Sequence, residues 1–123
     1  MSYFHNKRVW VTGASSGIGR DVAIKLSKLG AELILTARSR DKLEEVKKEC
    51  GNAKTHIFEH DLSNLDTIDD LVSKVANQVG TIDILFNNAG ISAYSSANET
   101  NFTVYEQVMK LNFLSVVKLT KCI

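Results

Sequence analysis

A chain of 123 residues has room for one packed domain and no second. Fifteen basic residues against fourteen acidic leave a net charge of +1, so nothing in the charge balance advertises nucleic acid or an anionic membrane as partner. At 44% hydrophobic and 24% charged, with no apolar run of bilayer length and no signal-peptide core in the polar segment 1–7, the sequence predicts a soluble globular domain in the cytoplasm.

The first strand is expected over 7–12, where Arg8-Val9-Trp10-Val11 reads as a buried run. It feeds Thr12-Gly13-Ala14-Ser15-Ser16-Gly17-Ile18-Gly19. Ile18, Val22, Leu26 and Leu29 then recur at helical spacing as far as Gly30, which suits a left-handed helix end. A glycine-rich turn between strand and helix is a phosphate cradle, because glycine lets a ligand approach the backbone and the free amides of the first helical turn meet an anion. Glu32–Ala37 is the second strand. Ser39 caps a helix with Leu43, Val46 and Cys50 on one face, and a third strand follows over 54–60. Ser63 or Asn64 opens the next helix, whose apolar face is Leu65, Ile68, Val72, Val75 and Val79, and Gly80 precedes a fourth strand over 82–86.

After Asn87-Asn88-Ala89-Gly90 comes a polar loop of about a dozen residues, long for a connection and so a candidate binding or lid segment. Thr103 and Glu106 predict a capping box for a last helix from Val104 onward. That helix is apolar nearly all round, through Val108, Leu111, Phe113, Leu114, Val116, Val117 and Leu119. Part of its surface must meet more chain or another subunit, and a homo-oligomer through the 104–123 helix is expected.

Strands alternating with helices imply a parallel sheet covered on both faces, and right-handed crossovers favour the doubly wound Rossmann-type order 3-2-1-4. Cys50 and Cys122 match no metal or redox spacing and read as reduced structural thiols. His56 and His60 lack a third ligand, so no metal site is expected. The sequons at Asn98 and Asn101 would matter only in the secretory pathway.

A dinucleotide fold reads its ligand at the end of the second strand, where an acid accepts the ribose 2′-hydroxyl of NAD. Here Ala37-Arg38-Ser39 stands instead. Arg38 offers a forked donor to a 2′-phosphate, so NADP(H) is the expected cofactor.

With these pieces in place the sequence resembles the short-chain dehydrogenase/reductases, in their NADP-preferring branch. Thr12 to Gly19 fits T-G-x-x-x-G-x-G, Asp61-Leu62 the adenine-contact position, Asn87 to Gly90 N-N-A-G, and Asn112 in Lys110-Leu-Asn-Phe-Leu114 the helix asparagine. The resemblance implies that Gly13, Ser15, Ser16, Gly17, Ile18 and Gly19 hold the pyrophosphate and adenosine ribose. By the same resemblance Arg38 and Ser39 take the 2′-phosphate, Asp61 and Leu62 flank the adenine, and Asn88, Ala89 and Gly90 line the ribose approach. It also implies NADP-dependent interconversion of a carbonyl and a secondary alcohol.

In that family a serine and a Tyr-x-x-x-Lys pair carry the proton chemistry and the helix asparagine holds a relay water. Asn112 is the one catalytic residue of the set present, since the others belong to a strand and helix beyond Ile123. Tyr3-Phe-His-Asn-Lys7 matches Tyr-x-x-x-Lys by letter but precedes the first strand. Tyr94 and Tyr105 have Asn98 and Met109 four residues on. The chain therefore reads as a cofactor-binding Rossmann domain that stops before the fifth strand, binds NADP(H) weakly and turns nothing over alone. A non-catalytic NADP-binding or interaction module, associating through its last helix and open sheet edge, is the alternative. The stretches 36–39 and 111–115 also look like the branch with microsomal steroid and retinoid reductases, which supplies endoplasmic reticulum association as the alternative location.

Overall fold

The computed structural model describes residues 2–91 and 99–123. The loop expected after Gly90 therefore lies largely outside the described residues, with Tyr94 and the Asn98 sequon. Strands β1 (Arg8–Thr12), β2 (Glu32–Ala37), β3 (Thr55–Glu59) and β4 (Ile84–Phe86) form one parallel sheet in the order β3-β2-β1-β4. This is the doubly wound 3-2-1-4 order that the alternating pattern predicts. The register runs Val9 beside Leu33 and Ile84, and Leu33 beside Thr55.

Side-chain alternation divides the core between the two faces. Val9, Val11, Leu33 and Leu35 pack with Ala23 and Leu26 of helix α1 (Gly17–Lys28) and Leu43 and Val46 of α2 (Arg40–Glu49). Trp10, Ile34 and Phe58 meet Ile68, Leu71 and Val75 of α3 (Ile68–Gln78), and Leu119 closes that side. Trp10 is fully buried, and its indole Nε1 donates to Thr36 Oγ1 at 2.8 Å, so its polar edge is satisfied inside the core.

Three helix faces or starts differ from expectation. In α1 the buried face is Gly19, Ala23 and Leu26, while Ile18, in the first turn at the open end of the sheet, is 69% exposed and Leu29 is also exposed. The segment after β3 is not α-helical from Ser63 or Asn64. A 3₁₀ turn, Leu65–Thr67, comes first, and α3 begins only at Ile68, so Ile68, Leu71 and Val75 face the sheet and Leu65, Val72 and Val79 sit at its margin. The capping box of Thr103 and Glu106 does not form. Helix α4 (Phe102–Met109) already starts at Phe102, with Asn101 before it, which leaves Thr103 inside the first turn.

A π-helical turn, Lys110–Leu114, joins α4 to α5 (Ser115–Cys122). Leu119 and Ser115 are buried here, whereas Met109, Phe113, Leu114 and Val117 are exposed, as the all-round apolar pattern predicts. Cys50 is buried as expected. Cys122 is exposed and its thiol donates to Asp69 Oδ1 at 3.0 Å, which raises its pKa. Among the described residues no helix is long and apolar enough to cross a membrane.

The end of the sheet away from the strands' carboxyl termini is held by charge. Glu32, whose side chain is 15% exposed, accepts from Arg8 Nε at 3.1 Å and lies 2.9 Å from His56 Nε2 and 3.5 Å from Lys54 Nζ. Burial alone would raise its carboxyl, but hydrogen bonds to His56 and Arg8 and the charges of Lys54 and Arg8 together bring it below the usual range. A carboxylate lowered on folding stabilises the protein above its unfolded pKa, about 4.3, and that stability is lost as pH falls through the folded value. Glu32→Gln should cost about 1–3 kcal/mol at neutral pH. In urea unfolding at pH 7 and below pH 4 the gap to the parent should shrink in acid, and a gap of constant size would refute the charge contribution.

Candidate functional site

The carboxyl ends of the four strands open onto a cleft of about 280 Å³, at the point where the chain switches from one side of β1 to the other. Thr12, at the last position of β1, builds the cleft's support. Its side chain is buried, accepts from the amides of Asn88 and Ala89, both at 3.0 Å, and reaches the Phe86 carbonyl at 3.4 Å. Asn88 Nδ2 donates to the Gly13 carbonyl at 3.2 Å. The segment after β4 is thus pinned against the glycine turn after β1.

The glycines of that turn have separate reasons. Gly13 has φ +62°, and a Cβ there would stand 2.9 Å from Ala89 Cα. Gly17 has φ +56° with open space around it, so only backbone conformation requires it. Gly19 is the reverse: its φ is ordinary, but a Cβ would overlap the Gly13 carbonyl oxygen and come 2.5 Å from Asn88 Nδ2. The amides of Gly17, Ile18 and Gly19 open α1 without an internal acceptor, and Ser16 before them makes no side-chain cap. No acidic residue sits in that first turn. The geometry suits an anion.

Beyond the ends of β2 and β3 the cleft turns polar. Arg38 and Ser39 line it, and Ser39 Oγ caps α2 by accepting from Lys42 N at 3.4 Å. Asp61 Oδ1 accepts from Ser63 N at 3.0 Å and Ser63 Oγ at 2.7 Å. The Ser63 hydroxyl, with the Ser63 amide and the Arg38 charge, holds the Asp61 carboxyl below the usual range against the opposing effect of burial. Leu62 packs into the core beneath, while lining the cleft. His60 Nε2 is 2.8 Å from Thr67 Oγ1, and burial pushes its imidazole down, so it is neutral at pH 7.

Asn112 lies in the π-helical turn, exposed and engaged at both ends of its amide. Its Oδ1 accepts from Ile91 N at 2.8 Å and its Nδ2 donates to Ile91 O at 2.6 Å, close behind Gly90. A π turn widens the helix by one residue and recurs at functional positions.

The fold gathers most of the residues singled out in the sequence. Gly13, Ser15, Ser16, Arg38, Ser39, Asp61, Leu62, Asn88, Ala89 and Gly90 all line the cleft. Gly17, Ile18 and Gly19 shape the turn without lining the cavity, and Asn112 stands behind the wall. Thr36, Ala37, Lys42, Ile91 and Leu111 line it too without having been expected there, as does His60, which the sequence offered only as an incomplete metal ligand. For His60 the signal was available, since it adjoins Asp61 just past β3, whereas Lys42 lies inside α2, beyond Ser39.

Residues 7–123 match the family described as short chain dehydrogenase. Over 121 residues, 94% of this chain, the sequence is 44% identical to Dehydrogenase/reductase SDR family member 7 of Mus musculus. A metagenomic short-chain oxidoreductase solved in complex with NADP superposes with a TM-score of 0.93 over 98% of this chain at 31% identity. L-sorbose reductase from Gluconobacter frateurii, complexed with NADPH and L-sorbose, gives 0.91 over 98% at 28% identity. The chain spans 36% of the mouse relative and 56% and 47% of the two solved chains.

Proposed function

Because the chain belongs to the short-chain dehydrogenase family, we propose that it is the cofactor-binding part of an oxidoreductase that takes NADP(H) at the ends of its strands and serves interconversion of a carbonyl and a secondary alcohol. The observation that carries this reading is the conjunction of an anion-ready helix start at Gly17 to Gly19 with an arginine, not an acid, at the end of β2. The solved relative holding NADP supports it.

The residues fit such a cofactor. The turn from Gly13 to Gly19 presents its first-turn amides to the pyrophosphate, Ser15 and Ser16 add hydroxyls, and Arg38 with Ser39 meets the 2′-phosphate. Asp61 and Leu62 bracket the adenine, and Asn88, Ala89 and Gly90 line the approach of the second ribose. The nicotinamide, once bound, supplies the hydride chemistry. Asn112 serves the reacting end by fixing the backbone of Ile91 through both halves of its amide. Small carbonyl or alcohol compounds are the substrate class, and the exposed side of α4 and α5 is the surface for self-association. The 123 residues alone bind NADP(H) weakly and turn nothing over, for want of the serine and Tyr-x-x-x-Lys.

Trp10 is a built-in reporter, since its indole bonds to Thr36, which lines the cleft. Fluorescence titration should show tighter binding of NADPH than NADH. Arg38→Gln should weaken NADPH by about tenfold or more and leave NADH unchanged. Equal affinities in the parent chain would overturn the NADP reading.

A further inference from the structure

Resting on the NADP reading, we propose that Lys42 is a second specificity-determining residue, whose ammonium joins Arg38 in holding the 2′-phosphate. Arg38 is countered in the cleft by Asp61, whose carboxylate Ser63 and Arg38 keep ionised, and His60 is neutral at pH 7. Without Lys42 the lining charges would cancel. With it the cleft is net positive, as a phosphomonoester of about −1.5 to −2 charges requires.

The neighbouring cations do not supply this charge. Arg40, in the same first turn of α2, does not line the cleft, and its guanidinium lies 3.9 Å from Glu44. Arg20 is paired with Glu49 and Lys54 with Glu32. Among the described residues no ion pair engages Arg38 or Lys42, so both remain available to an incoming anion. Ser39 sits between them, and its bond to the Lys42 amide fixes the turn from which the lysine projects. Arg38 can grip two phosphate oxygens in a planar fork. Lys42, a flexible point charge on a longer tether, neutralises the rest without demanding geometry.

The test compares 2′,5′-ADP with 5′-AMP, and NADPH with NADH, on the parent chain and on Lys42→Gln, Lys42→Arg, Arg38→Gln and Arg40→Gln. Lys42→Gln should weaken the two 2′-phosphorylated ligands by about fivefold and leave the others unchanged. Lys42→Arg should retain affinity and Arg40→Gln should have no effect. Added salt should erode the Lys42 contribution. Should Arg38→Gln abolish discrimination while Lys42→Gln leaves it intact, Lys42 is a solvated surface lysine and this inference alone is overturned. An equal loss for all four ligands, or the same loss in Arg40→Gln, overturns it as well. If the parent chain binds 2′,5′-ADP no better than 5′-AMP, the NADP reading itself falls and takes the inference with it.

Discussion

Alanine at Gly19 should be more damaging than alanine at Gly17, although Gly19 has an ordinary helical backbone and Gly17 does not. In an unobstructed helix, glycine to alanine is stabilising by roughly 1 kcal/mol. Here the added methyl overlaps the Gly13 carbonyl oxygen and crowds Asn88 Nδ2. Neither can yield cheaply, because Gly13 is backbone and Asn88 is bonded to it at 3.2 Å. The helix must back away from β1, which should cost about 1–3 kcal/mol in stability and more than tenfold in nucleotide affinity, since the first-turn amides move with it. Gly17→Ala is the control: the site is open, and only the left-handed backbone resists, at about 1–2 kcal/mol. Urea unfolding followed through Trp10, together with NADPH titration, ranks the two. Gly19→Ala matching or exceeding the parent's stability would show that the helix start is looser than the packing indicates.

What the sequence made legible follows from how local each signal is. Strands β1 and β2 announce themselves because a strand buried on both faces must be apolar along its length, and the 3-2-1-4 order then follows from the handedness of the crossovers. Ser39 was readable as a cap because it is the one capping residue immediately before the Leu43 and Val46 face. The starts of α3 and α4 were harder, since several capping residues compete within a few positions. Asp61 is spent on a turn with Ser63, and the 3₁₀ turn at Leu65 delays the helix to Ile68. At α4, Asn101 stands two residues ahead of the Thr103 that begins a capping-box pattern. The π turn around Asn112 left no mark in the hydrophobic period, and its partner Ile91 is distant in sequence. Within the site, motif residues were found by type and spacing. Lys42 and Leu111 enter the cleft only because the fold brings α2 and the π turn to the same end of the sheet.

Thr12→Val should open the site from beneath without changing its shape. Valine matches threonine in volume and β-branching, so β1 keeps its packing and strand propensity. What disappears is one hydroxyl that receives the amides of both Asn88 and Ala89 and reaches the Phe86 carbonyl. Thr12 is almost fully buried, and no methyl can accept what its oxygen accepts. Stranding two partly buried donors should cost about 2–3 kcal/mol in all, discounted from the fully buried value because Asn88 and Ala89 are reached by some water. The loss is local to the join between β1 and the segment after β4, so amide exchange should accelerate at Asn88 to Gly90 before it does in β2 or β3. Nucleotide affinity should fall with it, because Asn88 would no longer hold the Gly13 carbonyl in place. Thr12→Ser keeps the hydroxyl and gives up only a methyl, about 1 kcal/mol, and should leave those amides protected. Valine and serine variants with equal protection at Asn88 and Ala89 would mean that the hydroxyl is not the pin, and that the glycine turn and the segment after β4 are held together by Asn88 alone.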